Sequence, residues 1–155
     1  MQQGFEQLKY KGRKIIVVLA FLTLSALIPL QAMAKDCPQE RKTKNAPAKF
    51  LKMENPLPAD AVNIKAGADL YNKKAKPIAC KTCHGVKGDG KGDADFESTP
   101  PARILTCKKT MEALPDGQLF WIIKNGSKNT SMFSFASLSD NQVWQLIHYI
   151  RQFAK

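Results

Sequence analysis

Six residues, C-K-T-C-H-G at positions 80–85, constrain this chain more than any other stretch, because they pack two thiols and an imidazole into a few positions. Soft ligands that close together have few uses. C-x-x-C is half of a zinc site, the reactive pair of a dithiol oxidoreductase or, with a following histidine, a point of covalent haem attachment. Zinc needs four ligands, and Cys37, Cys107 and His148 do not form a matching second pair. A thioredoxin-like dithiol belongs beside a βαβ pattern, and no alternating strand pattern occurs. In C-x-x-C-H the thiols add to the two haem vinyl groups and the histidine reaches the iron from the proximal side. Cys80 and Cys83 are therefore the expected attachment points of one haem c per chain, and His84 an expected axial ligand.

The start of the chain bears on where such chemistry would take place. MQQGFEQLKYKGRK is basic, IIVVLAFLTLSALIPL (15–30) is uncharged and apolar, and Ala32 and Ala34 form a small-x-small site. The three parts describe a secretory signal over 1–34. An uncleaved membrane anchor is the alternative, although the run is shorter than the 20 or so residues of a spanning helix. Cleavage would remove four basic and one acidic residue, leaving 121 of the 155 residues and taking the formal charge from +11 to +8. The product is expected in the periplasm or another extracytoplasmic space, with no membrane span. The modest positive excess does not describe a nucleic-acid-binding chain. In an oxidising compartment each of the four cysteines needs an assigned fate. Cys37 and Cys107, left over from the motif, are expected to form one disulfide, with two free or intermolecular thiols as the alternative.

Residues 35–58 hold four prolines and no sustained periodicity, and are read as an irregular arm before a domain spanning 59–155. In that domain a helix is predicted from ADAVNIKAGADLYNKK and stopped by Pro77. A second is predicted between Pro115-Asp116 and Gly126. A third begins at the capping box Ser139/Gln142 and places Val143, Leu146, Ile147, Ile150 and Phe153 on one face. GVKGDGKGDADFESTPPAR and GSKNTSMFSFAS read as loops. The aspartates of GDGKGD lack the terminal glutamate of an EF-hand and read as solvated loop charge. Three helices and long connections make a thin core, which a large apolar cofactor would fill.

In order along residues 60–155 stand G-x-x-L-Y (Gly67, Leu70, Tyr71), C-K-T-C-H-G, a Gly/Asp loop, Pro100-Pro101, D-G-Q-L-F-W-I-I-K-N-G, S-M-F and L-S-D…W-Q-L-I-H-Y-I-R. As a set these resemble the class I c-type cytochromes. The resemblance implies an all-α cytochrome c fold, short helices and long loops wrapped round one covalently bound haem. It implies that the first helix crosses the last near Gly67, bringing Tyr71 towards Tyr149. It also implies a distal methionine at Met132, although Phe133 stands where the family often has proline. Met53, Met111 and His148 are the other candidates. The carbonyl of Pro100 or Pro101 is the implied partner of the His84 Nδ1 proton. The implied function is single-electron transfer between a donor and an acceptor protein. Lys73, Lys74, Lys76, Lys81 and Lys87 around the motif would steer acidic docking surfaces. The competing functions are a haem enzyme or gas sensor with a displaceable distal ligand, and a dedicated subunit of an oxidoreductase complex.

Overall fold

The computed structural model describes Cys37, Gln39 and residues 43–154. The apolar run and the Ala32/Ala34 cleavage site lie outside the described residues, so the signal remains an expectation from sequence. Within residues 36–155 the chain is one compact unit. The described residues contain helices and no strand: α1 (Ala48–Leu51), α2 (Ala61–Asp69), α3 (Lys81–His84), α4 (Lys108–Glu112), α5 (Asp116–Asn125) and α6 (Asp140–Arg151). The fold is all-α, as the sequence predicts.

Each long helix starts and stops for a local reason. Asp60 caps α2 by accepting the Asn63 N–H at 2.8 Å. The helix then widens into a π turn, Leu70–Lys74, that buries Leu70 and Tyr71. The chain leaves helical geometry at Ala75, two residues before Pro77. Gly126 ends α5 at φ +70°, a left-handed turn that favours glycine. The expected capping box opens α6: Ser139 Oγ accepts the Gln142 N–H and Gln142 Oε1 accepts the Ser139 N–H. Such a cap contributes about 1 kcal/mol.

The helices α2 and α6 pack most extensively. Val143, Leu146, Ile147 and Ile150 are buried along α6, each stabilising the fold by about 1.5–3 kcal/mol. Phe153 lies in a 3₁₀ turn beyond α6 and completes an aromatic trio with Tyr71 and Tyr149, at centroid distances of 5.1–5.3 Å. Trp144 stacks on Phe120 of α5 at 4.4 Å. Arg151 closes the end of the pair: its guanidinium donates to the Asp116 carboxylate and to the carbonyls of Met111 and Leu114.

Three short helices were not predicted: α3, α4 and α1, the last inside the stretch read as an irregular arm. The arm is tied down along its described length. Gln118 Oε1 accepts the Ala46 N–H at 2.7 Å, Asn55 donates to the Trp144 carbonyl at 2.9 Å, and His148 Nε2 donates to the Leu57 carbonyl at 2.8 Å. His148 is thus a fastener between arm and last helix. Cys37 and Cys107 are joined in a disulfide across 70 residues, as expected. Closing a loop of that length stabilises by about 4 kcal/mol on chain entropy.

Candidate functional site

A cavity of about 580 Å³ opens between α3, α5, α6 and the two long loops. That volume falls within the roughly 300–1,000 Å³ of ligand and cofactor sites. Its lining includes Cys80, Cys83, His84, Pro100, Met111 and Met132. Leu105, Leu119, Phe135, Leu146 and Ile150 supply apolar wall. The thin core expected from sequence is therefore a core with an apolar space at its centre.

The C-x-x-C-H segment is one turn of helix, held at both ends. At its start the Ala79 carbonyl accepts the Thr82 N–H at 3.0 Å, and the Cys80 carbonyl accepts the Cys83 and His84 N–H groups at 3.2 and 3.0 Å. Gly85 ends the turn at φ +80°. Its carbonyl accepts the buried Tyr71 hydroxyl at 2.7 Å, which locks the motif to the π turn after α2. Burial raises the Tyr71 phenol well above its usual range, so it stays a donor.

Cys80 and Cys83 are not joined to each other. Burial pushes the Cys80 thiol up to about 12, and burial together with the Asp93 charge also raises Cys83. A dithiol nucleophile needs the opposite, a lowered pKa and an electropositive setting. Neutral thiols beside an apolar cavity suit addition to an apolar ligand better.

His84 Nδ1 lies 2.9 Å from the carbonyl oxygen of Arg103. A carbonyl only accepts, so Nδ1 carries the proton and Nε2 keeps its lone pair for a metal. The sequence expectation named Pro100 or Pro101, and the partner is corrected to Arg103. The path of the loop explains the difference. The Leu105 and Thr106 N–H groups bond the Gly88 carbonyl at 2.7 and 3.2 Å, drawing 103–106 alongside the motif. At the other end of the loop Thr99 exchanges hydrogen bonds with Ser131, beside the proline pair.

Met132 sits in a loop fixed from several sides. Its N–H donates to Thr130 Oγ1 and its carbonyl accepts the Ser127 N–H, both at 3.1 Å. The Phe135 N–H then returns to the Ile123 carbonyl at 3.0 Å. Met111, another distal candidate from sequence, is buried in the core and also borders the cavity. Met53 packs against the core cluster. Sequence reasoning missed Arg103, and it missed Thr43 and Lys44 of the arm, which also line the cavity. No local pattern marks them.

The residues present fit a haem: paired neutral thiols, an imidazole in the ligating tautomer, a thioether and apolar walls around one space. An all-α chain built round such a space defines a cytochrome c domain. The family model described as cytochrome c oxidase, cbb3-type, subunit III matches residues 62–150, more than half of the chain, and the chain belongs to that family. Among solved structures, it is similar to a chain of the reducing HAO-like protein complex of Kuenenia stuttgartiensis. Identity is 26%, the TM-score is 0.51, and the likeness covers 75% of this chain. This chain spans about half of that one, 53%. No curated protein matches.

Proposed function

We propose that the chain is an exported monohaem cytochrome that carries single electrons between redox proteins. The observation that carries this is one apolar cavity bordered by Cys80, Cys83, His84 and Met132 together. Cys80 and Cys83 would hold a haem covalently, each by adding its S–H across one vinyl group, sulfur to one carbon and hydrogen to the other, with no change of oxidation state. His84, through Nε2, and Met132 would hold its iron. The bound haem supplies a one-electron couple. Leu105, Leu119 and Ile150 would exclude water from it, and two side-chain ligands on the iron would favour electron transfer over substrate binding.

Met132→Ala tests the ligand set. The sulfur–iron absorption in the near infrared is expected to vanish and the midpoint potential to fall, because a thioether favours reduced iron. The reduced variant should then bind carbon monoxide, which the unaltered protein should not. An unchanged spectrum would pass the distal role to Met111.

Docking is expected to rest on charge near the motif. Lys73, Lys76 and Lys87 are exposed, whereas Lys74 is paired with Asp69 at 3.1 Å and steers less. Lys76→Glu with Lys87→Glu should slow electron exchange with an acidic partner and leave the visible spectrum alone. The unaltered rate should drop steeply as salt shortens the Debye length to about 10 Å at 0.1 M. A rate indifferent to both would put partner choice on apolar contacts.

A second reading makes the chain a dedicated electron-transfer subunit. The resemblance to part of a chain from an HAO-like complex favours it. A stoichiometric oxidoreductase partner on native purification would select it over the free carrier.

A further inference from the structure

We propose that Gln39 is a positioning residue for the proximal histidine, acting through a single peptide plane; this rests on the reading of His84 as an iron ligand. The side-chain amide of Gln39 grips the cavity loop at two points. Its Nε2 donates to the Ala102 carbonyl at 3.1 Å, and its Oε1 accepts the Ile104 N–H at 2.9 Å. The Ile104 N–H and the Arg103 carbonyl are opposite edges of one planar peptide unit. The Arg103 carbonyl is the group 2.9 Å from His84 Nδ1. A chain of hydrogen bonds thus runs from Gln39 Oε1 through that amide to the imidazole.

The relay has two consequences. Fixing the plane at its N–H edge fixes where the carbonyl on the other edge points, and hence how the His84 ring is turned. Hydrogen bonding at the N–H also polarises the amide, strengthening the carbonyl as an acceptor, by about 10–30% per bond in such chains. A stronger acceptor draws the Nδ1 proton outward and makes Nε2 a better donor, which favours oxidised iron and lowers the potential.

The arm delivers Gln39 to this place by covalent and polar ties that all end on the same loop. Cys37, two residues before it, is bonded to Cys107. Thr43 Oγ1, four residues after it, accepts Arg103 Nη2 at 2.6 Å. On the far side the loop is held to the motif through the Gly88 carbonyl. The arm therefore forms the outer support of the proximal ligand.

Gln39→Met in the haem-loaded protein is the test, since it removes both hydrogen bonds and roughly keeps the side chain's length. The midpoint potential is expected to move positive. In proton NMR of the reduced protein, the His84 Nδ1–H resonance should move upfield and exchange faster with deuterium. Asn55→Ala is the comparison: it severs the arm from the Trp144 carbonyl, far along the chain from Arg103, and should lower the melting temperature while leaving the potential and the resonance in place. If Gln39→Met also lowers only the melting temperature, Gln39 is a packing residue and the proposal is overturned. Wild-type protein without covalent haem would instead overturn the reading of His84, and the proposal with it; the absence of a haem spectrum from every variant identifies that case.

Discussion

A chain carrying Cys80→Ala and Cys83→Ala together is expected to emerge without covalent haem and without a fixed tertiary structure. Both losses follow from the cavity. About 580 Å³ lies between α3, α5 and α6, bordered by Leu105, Leu119, Phe135, Leu146 and Ile150. If only a third of that volume stayed unfilled, at about 24 cal/mol per Å³, the cost would be about 5 kcal/mol. A domain's whole stability is about 5–15 kcal/mol. Collapse of the walls offers no escape, because α6 is already committed to α2 where Gly67 meets Gln145 and to the π turn where Tyr71 meets Tyr149. Wild-type chain should keep its haem through acid–acetone extraction and show sharp near-ultraviolet dichroism. The double variant should show neither, while far-ultraviolet helix signal survives in part. Each single variant retains one thioether and should fall between. A double variant that folds tightly without haem would mean that the cavity is not a cofactor site.

The same contrast, between what is local and what is assembled, separates the legible parts of the molecule from the rest. The helix α6 was readable because its periodicity and its capping box are properties of neighbouring residues. So were the ends of α5, where Pro115 and Gly126 act on their own backbone. The C-x-x-C-H motif belongs to this group, since its chemistry is concentrated in one helical turn. The one-turn helices α1 and α4 have too few residues to show a period. Helix α1 exists through packing: a side chain at Gly117 would put its Cβ 1.7 Å from the Phe50 carbonyl oxygen, so the arm is seated against α5 by backbone contact.

The partner of His84 was beyond reach for a related reason. Which carbonyl of residues 100–103 faces the imidazole depends on how Gly88, bonded to Leu105, and Ser131, bonded to Thr99, hold the two ends of the loop, across 17 and 32 residues of sequence respectively. Likewise, Asp69 offsets Lys74 only because the π turn brings them together, at 3.1 Å. A charge tally confined to residues 73–87 misses it. The proposed docking charge is accordingly smaller than the lysine count around the motif implies.

Gly67→Ala is expected to be among the most damaging single substitutions outside the haem ligands. A methyl group there would sit 2.1 Å from the carbonyl oxygen of Gln145 and 2.7 Å from its carbon. Both are backbone atoms of α6, so no side chain can turn aside, and the two helices must separate. Separation loosens the Tyr71–Tyr149 contact, now at 5.3 Å between centroids. It also strains the bond from the Tyr71 hydroxyl to the Gly85 carbonyl, through which the helix pair supports the haem motif. Overpacking of an adaptable core costs about 1–3 kcal/mol, and a backbone clash where α2 crosses α6 belongs at or above the top of that range. For a domain of this size that means a fall in melting temperature of about 10 °C or more. Val62→Ala, on the same helix but 75% exposed, should change the melting temperature by no more than a degree or two. If the two variants of the haem-loaded protein melted alike, the crossing of α2 and α6 would not hold the fold together. The aromatic trio would then have to dock without it.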